Sequence, residues 1–373
     1  MITREQKIEK NIFPKRVLIV YGPRRIGKTT ITKKYFESLD PKKSIYVVGD
    51  DIRIQELLNS LDRNNILNWA SSYENIIIDE AQYVSKIGNA IKMIIDEYPE
   101  KNIILTGSSS FELSEQTGEP LTGRHFTIIL LPIMQKELKL SNFDLKNNLE
   151  QFLIYGSYPE VLTSKNTDDK KRILNELINS YLLKDILVLD KIKSSQTLID
   201  ILKALAFQVG NEVSFNEIAL SVKRDVKTVQ RYIDVLEKTF VIKRVGAYSN
   251  NLRNEISKKN KFYFYDLGIR NAIIRQFNSL DDRNDVGALW ENFIFMELYK
   301  KSSAENRYEN FYFWRTTRNK EVDIIIEKDG KIQAIECKFR EKRETNMKIF
   351  LEKYPKAETK IINCNNYLNY LID

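Results

Sequence analysis

The stretch Gly22-Pro23-Arg24-Arg25-Ile26-Gly27-Lys28-Thr29-Thr30 decides the fold of the first third of the chain. It matches the phosphate-binding pattern G-x-x-x-x-G-K-[ST] in full. An apolar run at 17–21 precedes it and predicts a buried strand, and residues 29–39 predict a helix. The bland alternative is a glycine turn that happens to precede a lysine. Because strand, loop and helix occur in this order, the nine residues predict an ATP site, with Lys28 on the phosphates and Thr29 on Mg²⁺.

A second apolar run, at 75–79, ends in two acids and predicts the other half of this site. Acids at the carboxyl end of a buried parallel strand lie where open α/β sheets bind ligands. We expect Asp79 to hold the metal through water and Glu80 to polarise the attacking water. Alone, the pattern fits a solvated acidic turn equally well, and the upstream phosphate loop favours the catalytic interpretation.

Two further residues are candidates for the same reaction. Ser108 follows a predicted strand at 102–107 and could contact the γ-phosphate or the catalytic water, although a serine-rich turn is also ordinary loop chemistry. Arg124 could stabilise the transition state, on its own nucleotide or on that of a neighbour, or it could be a surface arginine. With one more strand at 44–50, the repeated strand–helix units predict a doubly wound parallel sheet.

Composition limits the functional classes. The chain has 373 residues, 42% of them hydrophobic, which predicts two or three domains with packed cores. Two cysteines, Cys337 and Cys364, and the single His125 exclude a disulfide framework, a zinc cluster and a histidine triad. No run reaches the ~18 apolar residues of a membrane span, and the N-terminus does not resemble a signal peptide. We therefore expect a cytoplasmic protein. The net charge of +8 favours an acidic partner such as DNA, although abundant lysine can also reflect compositional drift.

The middle of the chain predicts helices followed by a DNA-binding module. Residues 134–195 predict a helical lid or connector, with one helix from Lys170 to Leu187. Residues 196–265 predict three helices and two strands, the order of a winged helix-turn-helix. The polar face of its third helix would place Lys227, Gln230 and Arg231 on DNA. The alternative is a protein-packing module whose cations form a solvated face.

The last third carries a constellation typical of nucleases. Strands predicted at 321–326 and 333–338 bring Asp323 opposite Glu336 and Lys338, since residues i and i+2 of a strand share a face. Two carboxylates can hold Mg²⁺ or Mn²⁺, which activates water toward a phosphodiester, and the lysine can orient that water. Glu291, on a predicted helix at 286–298, could complete the metal cage. The same residues could instead form cross-strand salt bridges.

The order of these motifs resembles the AAA+ superfamily ATPases of bacteria and archaea whose C-terminal region has a restriction-endonuclease-like fold. The resemblance covers about residues 17–340 and rests on Gly22 to Thr30, Ile76 to Gln82, Leu105-Thr106-Gly107-Ser108, Leu121-Thr122-Gly123-Arg124, Tyr155-Gly156-Ser157-Tyr158-Pro159, Phe313-Trp314-Arg315, Glu321-Val322-Asp323 and Ile335-Glu336-Cys337-Lys338. It implies an ATPase domain at 1–133, a helical connector at 134–195, a winged helix at 196–265 and a PD-(D/E)XK-type domain at 266–373. It also implies that Asp323, Glu336 and Lys338 are the nuclease residues, with Glu291 as the helix acid.

The sequence thus predicts an ATP-binding, Mg²⁺-dependent ATPase that acts on DNA, in which the nucleotide state gates a metal-dependent nuclease-like domain. A rival is an ATP-driven switch whose C-terminal domain binds DNA or protein without cleaving. A third interpretation is a sequence-specific transcription regulator. The sequence leaves open whether a homo-oligomer or a protein partner completes the assembly.

Overall fold

The four predicted strands and a fifth form a parallel sheet, whose strands are, in spatial order, Ser44–Val48, Asn75–Asp79, Asn102–Gly107, Val17–Tyr21 and His125–Ile129. The computed structural model describes residues 2–107, 121–179, 194–249, 259–316, 320–340 and 347–372. The sheet and its helices are, in chain order, β1 (Val17–Tyr21), α1 (Lys28–Phe36), β2 (Ser44–Val48), α2 (Ile52–Ser60), α3 (Arg63–Ser71), β3 (Asn75–Asp79), α4 (Ile87–Glu97), β4 (Asn102–Gly107) and β5 (His125–Ile129). The predicted parallel α/β class is confirmed for this part of the chain.

Burial explains why the central strands could be recognised. Every residue of β1 and β3 is buried, as expected for strands covered on both faces. Helix α4 buries Ile87, Ala90, Ile91 and Ile94, which share one face at helical spacing. Strand β5 is an outer strand with exposed residues, and the sequence did not predict it.

The described chain divides into two compact units. The N-terminal unit comprises Arg4–Leu131 with Lys238–Phe240, and the C-terminal unit comprises Met1–Thr3, Pro132–Glu237 and Val241–Asp373. From residue 142 onward the elements are α5 (Asn142–Asn147), α6 (Leu149–Tyr155), α7 (Pro159–Thr163), α8 (Thr167–Leu177), α9 (Ser195–Phe207), α10 (Phe215–Val222), α11 (Val226–Lys238), β6 (Ile242–Val245), β7 (Lys261–Phe264), α12 (Leu267–Ile273), α13 (Val286–Ala304), β8 (Asn310–Arg315), β9 (Glu321–Lys328), β10 (Lys331–Cys337), α14 (Met347–Lys353), β11 (Glu358–Ile362) and α15 (Leu368–Leu371). The predicted connector, winged helix and nuclease-like domain lie almost entirely in the C-terminal unit, and their boundaries stay a prediction.

The Tyr155-Gly156-Ser157 segment ends α6 against a buried carboxylate. Gly156 has φ of +74°, and a Cβ there would lie 2.1 Å from Asp266 Oδ1. Asp266 accepts hydrogen bonds from the backbone N–H groups of Ser157 (2.6 Å) and Ile269 (3.1 Å), the second of which caps α12. The glycine is therefore required by a close approach as well as by its backbone angle. Of the helix predicted from Lys170 to Leu187, the first part lies in α8, and residues 180–187 lie outside the described residues.

The predicted DNA-binding module forms three helices, α9 to α11, and an antiparallel strand pair, β6 with β7. Ser214 and Glu217 form the capping box that opens α10, and Val229, Ile233 and Leu236 form the buried stripe of α11. An additional bridge joins Val213 to Asn260, immediately before β7.

The last third forms a four-stranded mixed sheet in the order β11-β10-β9-β8. Strands β8, β9 and β10 are antiparallel neighbours, and β11 runs parallel to β10. Helix α13 is buried along most of its length, and the indole N–H of Trp290 donates to the carbonyl of Ile362 on β11 (3.2 Å). This buried helix brings Glu291 to the interior of the C-terminal unit.

Candidate functional site

The phosphate loop joins β1 to α1 and has the backbone geometry that its glycines allow. Gly22 has φ of +150°, and a Cβ there would lie 2.2 Å from the carbonyl oxygen of Leu130. Gly27 has φ of +98° and precedes the first residue of α1, with open space where a Cβ would stand. The loop therefore presents backbone N–H groups and the N-terminus of α1 to the same point, which suits an anionic phosphate.

Lys28 is buried inside this loop. Its ammonium donates to the carbonyl oxygens of Gly22 (3.0 Å) and Pro23 (2.8 Å). Burial lowers the pKa of Lys28 to about 8, although the charges of Glu80 and Asp79 raise it in part. The charged form is thus poorly compensated by the protein alone, and an anionic ligand would stabilise it.

Asp79 holds two hydroxyl groups at the end of β3. The Thr29 hydroxyl donates to Asp79 Oδ2 (2.7 Å), and the Thr106 hydroxyl donates to Asp79 Oδ1. Thr106 also accepts the backbone N–H of Glu80 (2.9 Å). A threonine hydroxyl beside a carboxylate is the donor set that fits Mg²⁺ in a nucleotide site. The sequence reasoning did not select Thr106, although its place at the end of a buried strand next to β3 was a usable signal.

Glu80 lies immediately beyond Asp79 in a left-handed conformation, with φ of +51° and ψ of +44°. Its carboxylate accepts a hydrogen bond from the side-chain amide of Gln82. The predicted base is thus at the same edge of the sheet as Lys28 and Thr29, and Gln82 fixes its direction. Ser108, the other predicted contact of the γ-phosphate, lies outside the described residues.

Arg124 lies at the amino ends of the parallel strands, whereas the phosphate loop lies at their carboxyl ends. Arg124 directly precedes β5, whose first residue, His125, pairs with Val17, the first residue of β1. The phosphate loop follows the last residue of β1. Arg124 and the loop are therefore separated by the length of the five-residue strand, which rises about 3.3 Å per residue. The Arg124 side chain pairs with Asp96 (2.8 Å). The structure therefore does not bring Arg124 to the nucleotide site of its own chain.

The three predicted DNA contacts lie on the exposed face of α11. Lys227, Gln230 and Arg231 are all exposed, opposite the buried stripe of the helix. The Arg231 guanidinium lies 5.8 Å from the centre of the Tyr232 ring. This face can reach a partner without unfolding the module.

The mixed sheet brings the predicted nuclease residues together. The Lys338 ammonium lies 3.6 Å from Glu336 Oε2 and 3.8 Å from Asp323 Oδ2. Asp323 also accepts the backbone N–H of Cys337 (2.7 Å), which fixes it across the β9–β10 pair. Burial alone would lower the pKa of Lys338, but the charges of Asp323 and Glu336 raise it above its ordinary value. Two carboxylates and one ammonium therefore meet at one point.

Glu291 has different partners. Its Oε1 accepts hydrogen bonds from the Lys261 ammonium (2.8 Å) and the Tyr263 hydroxyl (2.6 Å), both from β7. Lys261 also contacts Glu321. Burial raises the pKa of Glu291 to about 7, against the opposing effect of Lys261. Among the residues with described positions, no group of three or more His, Cys, Asp or Glu side chains is arranged to hold a metal ion. The expected three-acid cage with Glu291 is therefore not formed, while Asp323 and Glu336 remain a two-acid set.

Three family models match successive segments of the chain. Residues 14–139 match an AAA domain, residues 146–280 match a domain of unknown function (DUF8612), and residues 286–373 match a domain of unknown function (DUF4143). The first match and the site geometry together define a parallel-sheet α/β P-loop ATPase-like domain. This class of domain binds nucleotide, usually with Mg²⁺.

The relatives extend over most of the chain. An uncharacterized protein of Methanocaldococcus jannaschii is 28% identical, with 96% of this chain and 82% of the relative aligned. An uncharacterized protein of Haemophilus influenzae is 25% identical over 91% of this chain and 87% of its own length. Among solved structures, the Walker-type ATPase of Pyrococcus abyssi is 15% identical, covers 70% of this chain and 91% of its own, and has a TM-score of 0.46. Within the described ranges, none of the helices has the length and apolar character that crossing a membrane requires.

Proposed function

We propose that this protein is an Mg²⁺-dependent ATPase that acts on DNA and whose nucleotide state controls a nuclease-like C-terminal domain. The observation that carries the proposal is the grouping of Lys28, Thr29, Asp79 and Glu80 at one edge of the parallel sheet. These are the residue types that bind and hydrolyse a nucleoside triphosphate.

Each residue has a chemical role in the ATPase reaction. Lys28 would leave its two carbonyl partners and neutralise phosphate oxygens. Thr29 and Asp79 would hold Mg²⁺, which supplies charge neutralisation on the phosphates. The Glu80 carboxylate would accept a proton from the attacking water, and the Gln82 amide, which donates to this carboxylate, would hold it in place.

DNA binding is supported by the exposed cations of α11 and by the net charge of +8. Three helices followed by an antiparallel strand pair fit a winged helix, in which the third helix enters the major groove. In this proposal Lys227 and Arg231 neutralise phosphates, and Gln230 contacts a base edge. Matched variants test it: Lys227→Ala should weaken DNA binding and reduce its salt dependence, whereas Lys203→Ala, an exposed lysine of α9, should not.

The nuclease-like assignment is supported by the meeting of Asp323, Glu336 and Lys338. The two acids would hold Mg²⁺ or Mn²⁺, which supplies Lewis-acid chemistry at a phosphodiester. Lys338 would orient a water or a phosphate oxygen. Asp323 lies on β9, Glu336 lies on the neighbouring β10, and Lys338 directly follows β10, which favours a fixed geometry over a flexible surface ion pair.

One experiment tests both halves. Labelled single- and double-stranded DNA is incubated with Mg²⁺ or Mn²⁺, with and without ATP, and ATP turnover is measured in the same samples. Lys28→Ala should abolish turnover, and Asp323→Asn should abolish cleavage while Asp329→Asn, in the β9–β10 turn, should not. Cleavage that survives Asp323→Asn would contradict the nuclease site, and turnover that survives Lys28→Ala would contradict the ATPase site.

A second candidate is an ATP-driven switch with a non-cleaving C-terminal domain. The observation that favours it is the pairing of Glu291 with Lys261, since it removes one expected metal ligand. In that case DNA is bound but not cut under any metal condition, and ATP turnover remains.

A further inference from the structure

The least expected side chain of the C-terminal unit is Lys261, the first residue of β7. Its side chain is fully buried, although lysine is almost never buried without partners. The ammonium lies 2.8 Å from Glu291 Oε1 on α13 and also contacts Glu321 on β9. The Phe313 ring covers it, with 5.5 Å from the nitrogen to the ring centre.

The two carboxylates around Lys261 have further donors. Tyr263, two residues along β7, donates its hydroxyl to Glu291 (2.6 Å). Arg315 lies 3.7 Å from Glu321 Oε2 and 3.1 Å from Glu212. In this acidic cluster, formed by Glu291 and Glu321, each carboxylate therefore contacts at least one cation of the chain itself.

We propose that Lys261 is the resident cation of this cluster, and that it takes Glu291 and Glu321 out of the set of metal ligands. A divalent ion in the C-terminal domain would then be held by Asp323 and Glu336 alone. Bringing such an ion to Glu291 would place it against a buried ammonium, and like charges at that distance repel strongly in a water-poor interior. This inference rests on the proposed metal site at Asp323 and Glu336, and it specifies which acids that site uses.

The lysine also makes the β6–β7 pair part of the C-terminal site. Lys261 and Tyr263 come from the strand that ends the winged-helix-like module, whereas their acid partners come from α13 and β9. Separating β7 from α13 would leave Lys261 on one side and Glu291 on the other without each other as partners. Any nucleotide-driven movement therefore carries β7 and the acidic cluster together.

The inference is tested by measuring Mn²⁺ binding to the full chain in the absence of nucleotide. Binding is followed by the loss of the electron paramagnetic resonance signal of free Mn²⁺. Glu336→Gln and Asp323→Asn should weaken Mn²⁺ binding by at least about tenfold. Glu291→Gln keeps an acceptor for Lys261 and Tyr263 and should leave the Mn²⁺ affinity within about twofold. Glu358→Gln, an exposed acid of β11, is the matched control. A loss for Glu291→Gln as large as that for Glu336→Gln would overturn the inference.

A second variant tests the same point from the other side. Lys261→Gln removes the resident cation, and it should raise the affinity for Mn²⁺ by at least about tenfold through the freed carboxylates. The double change Lys261→Gln with Glu291→Gln should abolish that gain. A folded Lys261→Gln protein that gains no Mn²⁺ affinity would contradict the inference.

DNA cleavage in the same samples separates this inference from the proposed function. Mn²⁺ binding that follows the expected pattern without any cleavage keeps the role of Lys261 and removes the nuclease activity. If Glu291→Gln loses both DNA cleavage and Mn²⁺ binding, the nuclease activity is supported and the proposed role of Lys261 is excluded.

Discussion

Two buried lysines of this protein have opposite electrostatic environments. Lys28 in the phosphate loop donates to two backbone carbonyls, and burial lowers its pKa to about 8. For Lys261, burial also acts to lower the pKa, but the charges of Glu291, Glu321 and Asp323 outweigh it and raise the pKa above its ordinary value. The first lysine is incompletely compensated by its own protein, whereas the second is fully paired.

This difference shows how a ligand site can be distinguished from a structural ion pair. A buried ammonium held mainly by neutral carbonyls gains when an anion arrives, so Lys28 is suited to phosphate. A buried ammonium that contacts two carboxylates has little to gain from an external anion, and removing Lys261 alone would leave those carboxylates without their cation. Mutation should therefore reduce mainly ATP turnover at Lys28 and mainly stability at Lys261.

The largest expected effect is a difference in stability between variants of the two lysines. Lys261→Met should lower the free energy of unfolding by up to about 3–5 kcal/mol, because it leaves the largely buried carboxylates of Glu291 and Glu321 without their shared cation. Lys28→Met should lower it by no more than about 1–3 kcal/mol, since it leaves two buried carbonyl oxygens without a donor but no unpaired charge. Urea unfolding of the two variants and the native chain measures both values.

The control for this prediction is the pair of changes Lys261→Met and Glu291→Gln combined, which should recover part of the lost stability because one unpaired charge is removed. Equal destabilisation by Lys28→Met and Lys261→Met would contradict the distinction.

The next effect separates the lysines by activity. Lys28→Met should reduce ATP turnover by at least about a hundredfold, the usual cost of removing one group that stabilises transition-state charge. Lys34→Ala, an exposed lysine of α1, should leave turnover unchanged. Steady-state phosphate release at saturating ATP is the measurement, and native-like turnover in Lys28→Met would exclude this loop as the ATP site.

The sequence predicted the environment of Lys28 much better than that of Lys261. The phosphate loop is a local pattern, and the continuous apolar runs of β1 and β3 revealed buried strands on either side of the site. Lys261 was read only as the start of a strand, because its partners lie 30 and 60 residues further along the chain. Nothing in the local pattern of residues 261–265 identifies which acids it meets.

The outer strands illustrate the same limit. Strands β5 and β11 lie at the edges of their sheets, each has two exposed residues, and polar residues interrupt both, so neither is the unbroken apolar run that marks a central strand. Missing β5 had a consequence for function, because its direction places Arg124 away from the phosphate loop. The pairing of Asp323 with Glu336 and Lys338 was predictable, since the hairpin turn fixed which strands are neighbours.

A smaller effect separates the lysines by pH. Nucleotide should bind the charged form of Lys28, so the ATP affinity of the native chain should fall above pH 8, by up to about tenfold per pH unit. Lys261 should stay charged through this range, because its pKa is raised, so stability should not follow the same profile. Calorimetric titrations at pH 7 to 9.5 in two buffers would show proton uptake on binding at the higher pH. Lys28→Arg should flatten the profile, and a flat native profile would contradict the low pKa of Lys28.

The smallest effect concerns Arg124, which the sequence offered as a residue acting on its own nucleotide, on that of a neighbour, or only at the surface. Arg124→Ala should change the stability by less than about 1 kcal/mol, because its pair with Asp96 is solvent-exposed. It should also leave the ATP affinity of a dilute chain unchanged, since Arg124 lies at the amino end of β5 and the loop at the carboxyl end of β1.

A role on a neighbour's nucleotide would instead make turnover depend on protein concentration in the native chain and not in the variant. Turnover of the two proteins over a hundredfold range of concentration measures this, and Lys34→Ala is the control. A loss of turnover in Arg124→Ala that is constant across the range would mean that Arg124 reaches the nucleotide of its own chain, contrary to the strand register.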